Sequence, residues 1–381
     1  MITAINPKIL TWARKRCGFS IEDLAGDLRK DSDTIRQWES GEAFPSYTTL
    51  ETLAYNHFKI PLAVFFFPEP PDVDDPAAKF RRLPEYELER LSSDTRQKIL
   101  LAEAYQESLK ELLQEPAASR LIWHDVKTTS ASSLPKLASD VRDYLRVSLE
   151  QQFRFRRGDE AFKAWRQATE QCGIYTFKDS FKDSFVSGFC LFHDQFPVIM
   201  VNNSNSFSRQ IFTLLHELGH ILLGVNGITD VDDSYIDFMN NNDRSLEIAC
   251  NQFAAEVLVP SSAFLKEITA FEAAGQEIIP ELAKKYSVSR EVILRRLLDF
   301  GAIDQAYYAS KAAEWNRDYL RQSREAPGGN WYLTKLSYLG EGFTCLAFES
   351  YRQGRLTEAE LAGHLNVKAR NLERFESHIG W

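Results

Sequence analysis

The sequence is poor in cysteine, and its cysteines are scattered. There are five in 381 residues, an odd number, and no two of them form a Cys-x-x-Cys pair: Cys17, Cys172, Cys190, Cys250 and Cys345. A small secreted domain held by disulfides has closely spaced cysteines in even number. This spacing therefore argues against a disulfide framework and favours a reducing compartment.

A long hydrophobic run is also absent. The longest strongly apolar stretch is 61–68, which is far shorter than the roughly 20 residues that span a bilayer. The first 20 residues lack the apolar segment and small-residue cleavage site of a secretory signal. We therefore expect a cytoplasmic protein without a membrane partner.

The chain has no excess of positive charge. It carries 45 lysines and arginines against 54 acidic residues, a net charge of -9, so any contact with nucleic acid must be local. A hydrophobic content of 44% excludes a disordered or collagen-like chain. Its length predicts two or three domains.

The N-terminal segment has the pattern of short helices joined by tight turns. Ser20 and Asp23 form a helix-capping signature, Ile35 and Trp38 lie three apart on one face, and Gly41 ends that helix. This pattern is typical of a helix-turn-helix and predicts an all-α domain over residues 1–68. A proline-rich acidic stretch follows at 68–76, so we assign 69–135 to a linker and a connecting helix that begins near residue 84.

The middle of the chain changes its periodicity. After a helical region at 136–170, three short runs of branched and aromatic residues predict strands of a small antiparallel or mixed sheet at 174–177, 188–192 and 197–201. A capped helix is predicted from Phe207 to Leu223, and most of the remaining chain is helical. The fold class is α+β, mainly α, with a second domain at 136–310 that contains this sheet and helix, and a helical C-terminal region at 311–381.

The predicted helix at 207–223 contains His216-Glu217-Leu218-Gly219-His220. Histidines four apart project from one helix face and can bind a single zinc ion, with Glu217 close to a zinc-bound water. The surrounding leucines and isoleucines indicate a buried helix, where two histidines without a partner would be costly. The motif therefore predicts a catalytic metal centre with one Zn2+.

Such a centre needs a third protein ligand and an open position. The predicted helix from about Ser245 to Pro260 places Glu247 and Asn251 on one face, where Glu247 can bind the metal and Asn251 a ligand histidine. Asp230 and Asp243 are alternative third ligands, but neither lies on a predicted helix that would fix its position. Cys250 is a weaker alternative, about 100° around the helix from Glu247.

These residues resemble a known family. The segment 212–224, together with Glu247, Asn251 and the following Phe-Ala-Ala, is similar to the ImmA/IrrE-type zinc metallopeptidases over about 140–310. Residues 24–45 resemble the XRE-type helix-turn-helix, and the combination resembles a known fusion of the two modules. The resemblance implies zinc on His216, His220 and Glu247, Glu217 as general base, and regulatory cleavage of a helix-turn-helix repressor, often in stress response.

Two parts of the mechanism stay open. The oxyanion needs a donor besides zinc, and the candidates are His193, Tyr235 and Arg209. The substrate needs a surface, and strand 197–202 is expected to offer its open edge to an extended peptide.

Two functions follow from the sequence. The first is a zinc endopeptidase that regulates transcription by cleaving a repressor or antitoxin-like partner. The alternative is a DNA-binding regulator whose zincin domain senses or docks a partner without proteolysis. Double-stranded DNA is a second expected partner, and a homodimer is left open. Acidic Asp31, Asp33 and Glu39 crowd the recognition helix, and the candidate DNA contacts are Arg29, Lys30, Thr34, Arg36 and Gln37.

Overall fold

The computed structural model describes residues 5–72, 79–80, 91–113, 120–126, 133–183, 185–230, 239–322 and 329–379. The chain forms two compact units. The first comprises Met1–Glu103 with Phe181–Ser184, and the second comprises Ala104–Ser180 with Phe185–Trp381. The change from one unit to the other lies inside helix Ser93–Leu113, and the functional domain limits proposed from the sequence stay predictions.

The first unit begins with four short helices, α1 Pro7–Arg16, α2 Ile21–Leu28, α3 Ser32–Ser40 and α4 Tyr47–Thr52. Ser20 and Asp23 form the expected capping box on α2, and Arg29 makes the left-handed turn into α3 with φ 54°. A π-helical turn at Leu53–Phe58 and a 3-10 helix at Leu62–Phe66 follow. Ile35 and Trp38 are buried in one apolar core with residues of all four helices.

In the second unit, the region predicted as helical at 136–170 forms three helices. Arg146 leaves the first in a left-handed conformation, and Ser148 and Gln151 form a capping box that starts the second. These polar local signals explain why the chain turns twice within a segment of helical periodicity. The helices between residue 120 and the sheet are Ile122–Asp125, Leu134–Leu145, Leu149–Arg154 and Gly158–Glu170.

A four-stranded mixed sheet follows, in the order β1-β3-β2-β4. The strands are β1 Tyr175–Asp179, β2 Val186–Leu191, β3 Val198–Asn202 and β4 Gly227–Asp230. β3 pairs in parallel with β1 and antiparallel with β2, so both of its edges are used. The expectation that strand 197–202 offers an open edge is therefore wrong, and β4, which pairs with β2, was not predicted at all.

Two long helices of the second unit carry the metal-site candidates. We name Phe207–Leu222 the HELGH helix and Asn241–Leu258 the Glu247 helix. Both bury their apolar faces in the largest core of the unit. The chain is thus mainly helical with one small sheet, as predicted. The helices that follow are Ser261–Ala274, Ile279–Tyr286, Arg290–Asp299, Gln305–Gln322, Trp331–Leu339, Glu341–Arg352, Glu358–Leu365 and Leu372–Glu376.

Among the described helices, no single one has the length and hydropathy needed to cross a bilayer. One bent pair, Asn241–Leu258 with Ser261–Thr269, reaches the threshold jointly by length and composition, with 71° between its parts.

Candidate metal centre

The HELGH helix is held rigidly by its apolar neighbours. Ser206 caps its start by accepting a hydrogen bond from the Arg209 N–H, and Leu214, Leu215 and Leu218 are fully buried. His216, Glu217 and His220 also have no exposed surface. The helix therefore fixes three polar side chains inside an apolar core, where each needs a partner.

Gly219 allows the Glu247 helix to approach this motif closely. A Cβ atom at position 219 would lie 3.2 Å from both Cys250 Sγ and Phe253 Cδ1. Because that separation is tighter than an ordinary van der Waals contact, a larger side chain at 219 would push the two helices apart. The Gly of the motif thus brings Glu247 within reach of the histidines.

The three expected ligands converge. His216 Nε2 lies 3.0 Å from His220 Nε2 and 3.2 Å from Glu247 Oε2, and His220 Nε2 lies 3.3 Å from Glu247 Oε1. Ligand atoms at the zinc–ligand distance of about 2.0–2.1 Å in a tetrahedron are about 3.3 Å apart. The side chains therefore have the spacing that a small divalent cation requires, and in the described part of the chain this is the group with that geometry.

Asn251 fixes the tautomer of His216. Its Oδ1 lies 2.9 Å from His216 Nδ1. Because an amide oxygen only accepts, Nδ1 carries the proton and Nε2 keeps its lone pair for a metal. Asn251 lies one turn after Glu247, so one helix supplies both the expected third ligand and the group that orients the first.

The charge of Glu247 suits a cation, whereas His220 must lose a proton to bind one. Burial opposes ionisation of Glu247, but His220 and His216 beside it hold the pKa of this carboxyl well below its usual range. Burial likewise opposes a charge on His220, yet Cys250 and Glu247 raise its pKa well above the ordinary value. Glu247 is therefore an anion at neutral pH, as a carboxylate ligand must be.

One carboxylate oxygen of Glu217 is hydrogen-bonded, and the other has no partner among the described residues. The Thr229 hydroxyl donates a short hydrogen bond to Glu217 Oε1. Glu217 Oε2 is buried and has no hydrogen-bond partner among the described residues. Glu217 thus has one oxygen held and the other unpaired, directly after His216, which is the arrangement that the predicted general base requires.

Strand β4 lies against the site on the side of the sheet, and sequence reasoning did not identify its contribution. A Cβ at Gly227 would lie 2.2 Å from His220 Cδ2, so only glycine lets the strand pass this ring. The Gly227 N–H donates to Cys190 Sγ, and burial together with Glu217 raises the pKa of the Cys190 thiol well above its usual value. With four residues that include a glycine and an aspartate, β4 is too short for a clear alternating pattern, so the sequence carried no usable signal for it.

The alternative ligands have other surroundings. Asp243 lies in the first turn of the Glu247 helix, where its Oδ2 accepts from Asn240 Nδ2 at 2.6 Å. Cys250 lies against Gly219 and interacts with His220, and burial raises the pKa of its thiol. Asp230 ends β4, and its side chain falls outside the described part of the structure.

Two of the three oxyanion candidates, His193 and Arg209, have hydrogen-bond partners of their own. His193 lies in the turn between β2 and β3, where its Nδ1 accepts from the N–H groups of Gln195 and Phe196. Arg209 bonds Ser187 Oγ at 3.1 Å, about 10 Å along the helix axis from His216. Tyr235 lies outside the described residues. The role of each as a donor stays a prediction.

The candidate DNA contacts divide into two groups. Arg29, Lys30 and Gln37 have exposed side chains. Arg36 is paired with Asp33 at 2.7 Å and Glu22 at 3.0 Å, and Thr34 Oγ1 donates to Asp31 at 2.9 Å.

Comparison with known proteins supports the assignment of the second unit. Residues 169–298 match the peptidase M78 family model, described as the IrrE N-terminal-like domain. A radiation response metalloprotease IrrE of Deinococcus radiodurans is 34% identical over 137 residues, which are 35% of this chain and 41% of that protein. Its counterpart in Deinococcus deserti is 31% identical over 134 residues, 35% of this chain and 44% of that protein.

The chain thus spans about two fifths of the length of the curated relatives it matches. The shared part contains both site helices, and these matches support a zincin-like metallopeptidase domain here.

Proposed function

We propose that the chain is a zinc-dependent endopeptidase with a DNA-binding-type N-terminal domain, and that it regulates transcription by cleaving a repressor or antitoxin-like protein. The observation that carries this proposal is the convergence of His216, His220 and Glu247 beside a carboxylate, Glu217, with one unpaired oxygen. A purely structural metal site does not require a free carboxylate such as Glu217 beside its ligands.

Zinc is the metal that this donor set favours. Two imidazole nitrogens and one carboxylate oxygen are the ligands of many catalytic zinc sites, and three protein ligands leave a position for water or substrate. The neutral Nε2 of His216, fixed through Asn251, and the ionised Glu247 are both in the protonation state that binds a metal.

Each group of the site then has a distinct role in peptide hydrolysis. When bound, zinc supplies Lewis acidity, which polarises a carbonyl and lowers the pKa of a water molecule. Glu217 accepts the proton of the attacking water at Oε2 and delivers it to the leaving amide nitrogen. Throughout, Thr229 holds Oε1, so the carboxylate keeps its orientation as its charge changes. No covalent bond between enzyme and substrate is required.

Strand β4 is the surface that we propose for the substrate backbone. It is an edge strand of the described sheet, and its residues Gly227 and Thr229 contact His220 and Glu217. A peptide that extends along a free strand edge forms main-chain hydrogen bonds with it. Such a peptide would pass directly beside the proposed metal ligands. We therefore propose β4, and not β3, as the edge that binds the substrate.

The proposed role in transcription rests on the first unit. α2 and α3 are joined by a tight left-handed turn at Arg29, as in a helix-turn-helix, and Arg29, Lys30 and Gln37 offer exposed side chains near α3. Because Arg36 is already neutralised by two carboxylates, we expect a modest affinity for DNA.

A non-proteolytic regulator is the second candidate. The exposed basic residues of the first unit favour this function as much as they favour a peptidase with a DNA-binding-type domain. It needs DNA binding that weakens with salt, and no cleavage. The two candidates differ in what happens to a partner protein that the zincin domain captures.

Substrate trapping separates the candidates. Glu217→Gln is expected to keep zinc and to reduce cleavage by about 10²–10⁴, because it removes the general base. The variant is used to capture partner proteins, which are then incubated with zinc-loaded wild type. Glu272→Gln, on an exposed site of another helix, is the matched control and should cleave normally. A captured partner that wild type leaves intact would support the non-proteolytic regulator, and a Glu217→Gln protein as active as wild type would refute the base.

A further inference from the structure

A lysine without an anionic partner is buried under the sheet of the second unit. Lys178 lies in β1, and 3% of its surface is exposed. Its ammonium group forms no ion pair and no hydrogen bond with any residue of the described part of the chain. Its Nζ lies 4.8 Å from the ring centroid of Phe162 and 5.2 Å from that of Phe207. Because aromatic faces compensate only part of the cost of burying a cation, Lys178 lacks a counter-ion.

The charges closest to Lys178 do not supply that counter-ion. Burial and the nearby guanidinium of Arg166 both lower the pKa of Lys178, to about 8, so the lysine is still a cation at neutral pH. Arg166 is itself paired with Glu170 at 3.0 Å, which engages that carboxylate. Asp179 follows Lys178 in the strand, so its side chain points to the opposite face of the sheet. A buried cation without a counter-ion indicates that the missing anion comes from outside the protein.

Two acidic residues at the start of the helix that carries Phe162 are also engaged. Asp159 pairs with Arg157, and Glu160 Oε2 accepts the main-chain N–H of Arg156 at 3.1 Å. Neither carboxylate forms an ion pair with the buried lysine. The positive charge under these helices is therefore not balanced by the acids beside it.

Lys178 Nζ lies where two long helices begin. Phe207 is the first residue of the HELGH helix, and Phe162 lies in the second turn of helix Gly158–Glu170. The two helix starts are in contact, because a Cβ at Gly158 would lie 2.7 Å from Phe207 Cβ. Nζ keeps a small accessible surface, since it is not among the fully enclosed polar atoms without a partner. The Phe207 side chain beside it is 39% exposed, so it can turn outward and admit an anion from solvent.

The start of the HELGH helix offers free main-chain donors. The N–H groups of Phe207 and Ser208 have no acceptor in the part of the chain that the structure describes. Those of Arg209 and Gln210 are bonded to the side chain and the carbonyl of Ser206, respectively. The first turn contains no acidic residue. Free N–H groups and the helix dipole therefore attract negative charge to this end.

We propose that Lys178 and the N–H groups of Phe207 and Ser208 bind a small tetrahedral oxyanion, of the phosphate or sulfate type, at the start of the HELGH helix. A lysine ammonium is a point charge that pairs with such an anion without a fixed bidentate geometry, and the N–H groups of a helix start commonly bind phosphate. Phe207 precedes His216 by nine residues, about 13 Å along the helix axis, so this site is separate from the metal ligands.

Hydrogen exchange locates the anion. A bound oxyanion accepts hydrogen bonds from the first N–H groups of the HELGH helix, so amide exchange at 207–209 should slow when sulfate is added to the zinc-loaded full-length chain. The start of helix Ser261–Ala274 is the matched control, because the Ser261 N–H already bonds Glu256 at 2.7 Å. Exchange at 261–264 should not change.

Calorimetry tests the role of the lysine. Sulfate and inorganic phosphate are titrated into the zinc-loaded full-length chain at constant ionic strength in chloride, with acetate as a planar anion for comparison. Sulfate and phosphate should bind more tightly than acetate. Lys178→Met should weaken their binding about tenfold or more, because it removes the charge-assisted hydrogen bond and keeps the length of the side chain. Lys136→Met, which removes an exposed lysine on another helix, is the control and should bind sulfate as wild type does.

Sulfate and phosphate also bind zinc ions, and the Lys178 variant distinguishes the two sites. If sulfate binds Lys178→Met as tightly as wild type, or does not bind wild type at all, Lys178 does not form an oxyanion site. Acetate binding as tight as sulfate binding would overturn the tetrahedral ligand. Should Lys178→Met fail to fold, the exchange measurement on wild type decides alone, and unchanged exchange at 207–209 in the presence of sulfate would refute the proposal.

Discussion

Thr229 donates its hydroxyl hydrogen to Glu217 Oε1, so the last strand of the sheet fixes the carboxylate that follows the first histidine of the motif. Both residues are buried, with 2% and 0% of their surface exposed. The position of the proposed base therefore depends on a residue that lies outside the motif in sequence.

Thr229→Val should lower kcat for the captured partner about 10- to 100-fold with little change in KM. Valine has the shape of threonine but leaves Glu217 Oε1 without its donor, so the carboxylate loses its orientation. Thr229→Ser, which keeps a hydroxyl, should recover most of the rate. Equal rates for the Val and Ser variants would show that the hydroxyl is not used.

Asn251→Ala should weaken zinc binding about 10- to 100-fold, because His216 loses the acceptor that fixes its tautomer. Competition with a chromogenic chelator measures the change. Gln252→Ala, at the next and exposed position of the same helix, should bind zinc as wild type does. A zinc affinity unaffected by Asn251→Ala would remove Asn251 from the site.

Gly227→Ala should disrupt zinc binding without changing any polar group of the site. The new Cβ would lie 2.2 Å from His220 Cδ2, so the ring or strand β4 must move. Gly363→Ala is the control, since nothing lies within 4 Å of its Cβ in a helix, and it should stabilise the protein by up to about 1 kcal/mol. Zinc content and thermal unfolding give the two readouts. Full zinc content in Gly227→Ala would contradict the packing argument.

Lys178→Met should stabilise the protein at pH 7 by roughly 1 to 3 kcal/mol. Lys178 is buried in β1 near the rings of Phe162 and Phe207, and burial, with Arg166 nearby, lowers its pKa to about 8. Below pH 8 both the folded and the unfolded chain carry this charge, so its burial cost is fully present.

The pH dependence of that effect has a defined sign. Between pH 8 and about 10.4 the unfolded chain keeps the proton that the folded chain has released, so the free energy of unfolding of wild type rises with pH. The advantage of Lys178→Met should therefore shrink over this range in denaturant titrations. A difference that stays constant from pH 7 to pH 10 would mean that Lys178 is not titrating there.

The convergence of His216, His220 and Glu247 could be predicted because it follows from helical geometry. The spacing of His216 and His220, and of Glu247 and Asn251, places each pair on one face of a predicted helix, and the three strands at 175–202 have clear composition signals. Gly227 and Thr229 could not be predicted, because their roles depend on β4 packing across the site.

The same limit applies to charge pairing. The sequence offers Arg36 as a candidate DNA contact and shows acidic residues around the recognition helix, but it does not show which arginines these acids meet. Arg14 is buried against Glu39 at 2.6 Å, and Arg36 is paired with Glu22 and Asp33. The central position of β3 could likewise not be predicted from the sequence, since strand order depends on tertiary pairing.

X-ray absorption at the zinc edge of the zinc-loaded chain tests the central claim most directly. We expect one zinc ion per chain with nitrogen and oxygen ligands at about 2.0–2.2 Å, and loss of that ion in Glu247→Ala. A sulfur ligand at about 2.3 Å would assign Cys250 to the metal instead, and full zinc content in Glu247→Ala would contradict the three-ligand site.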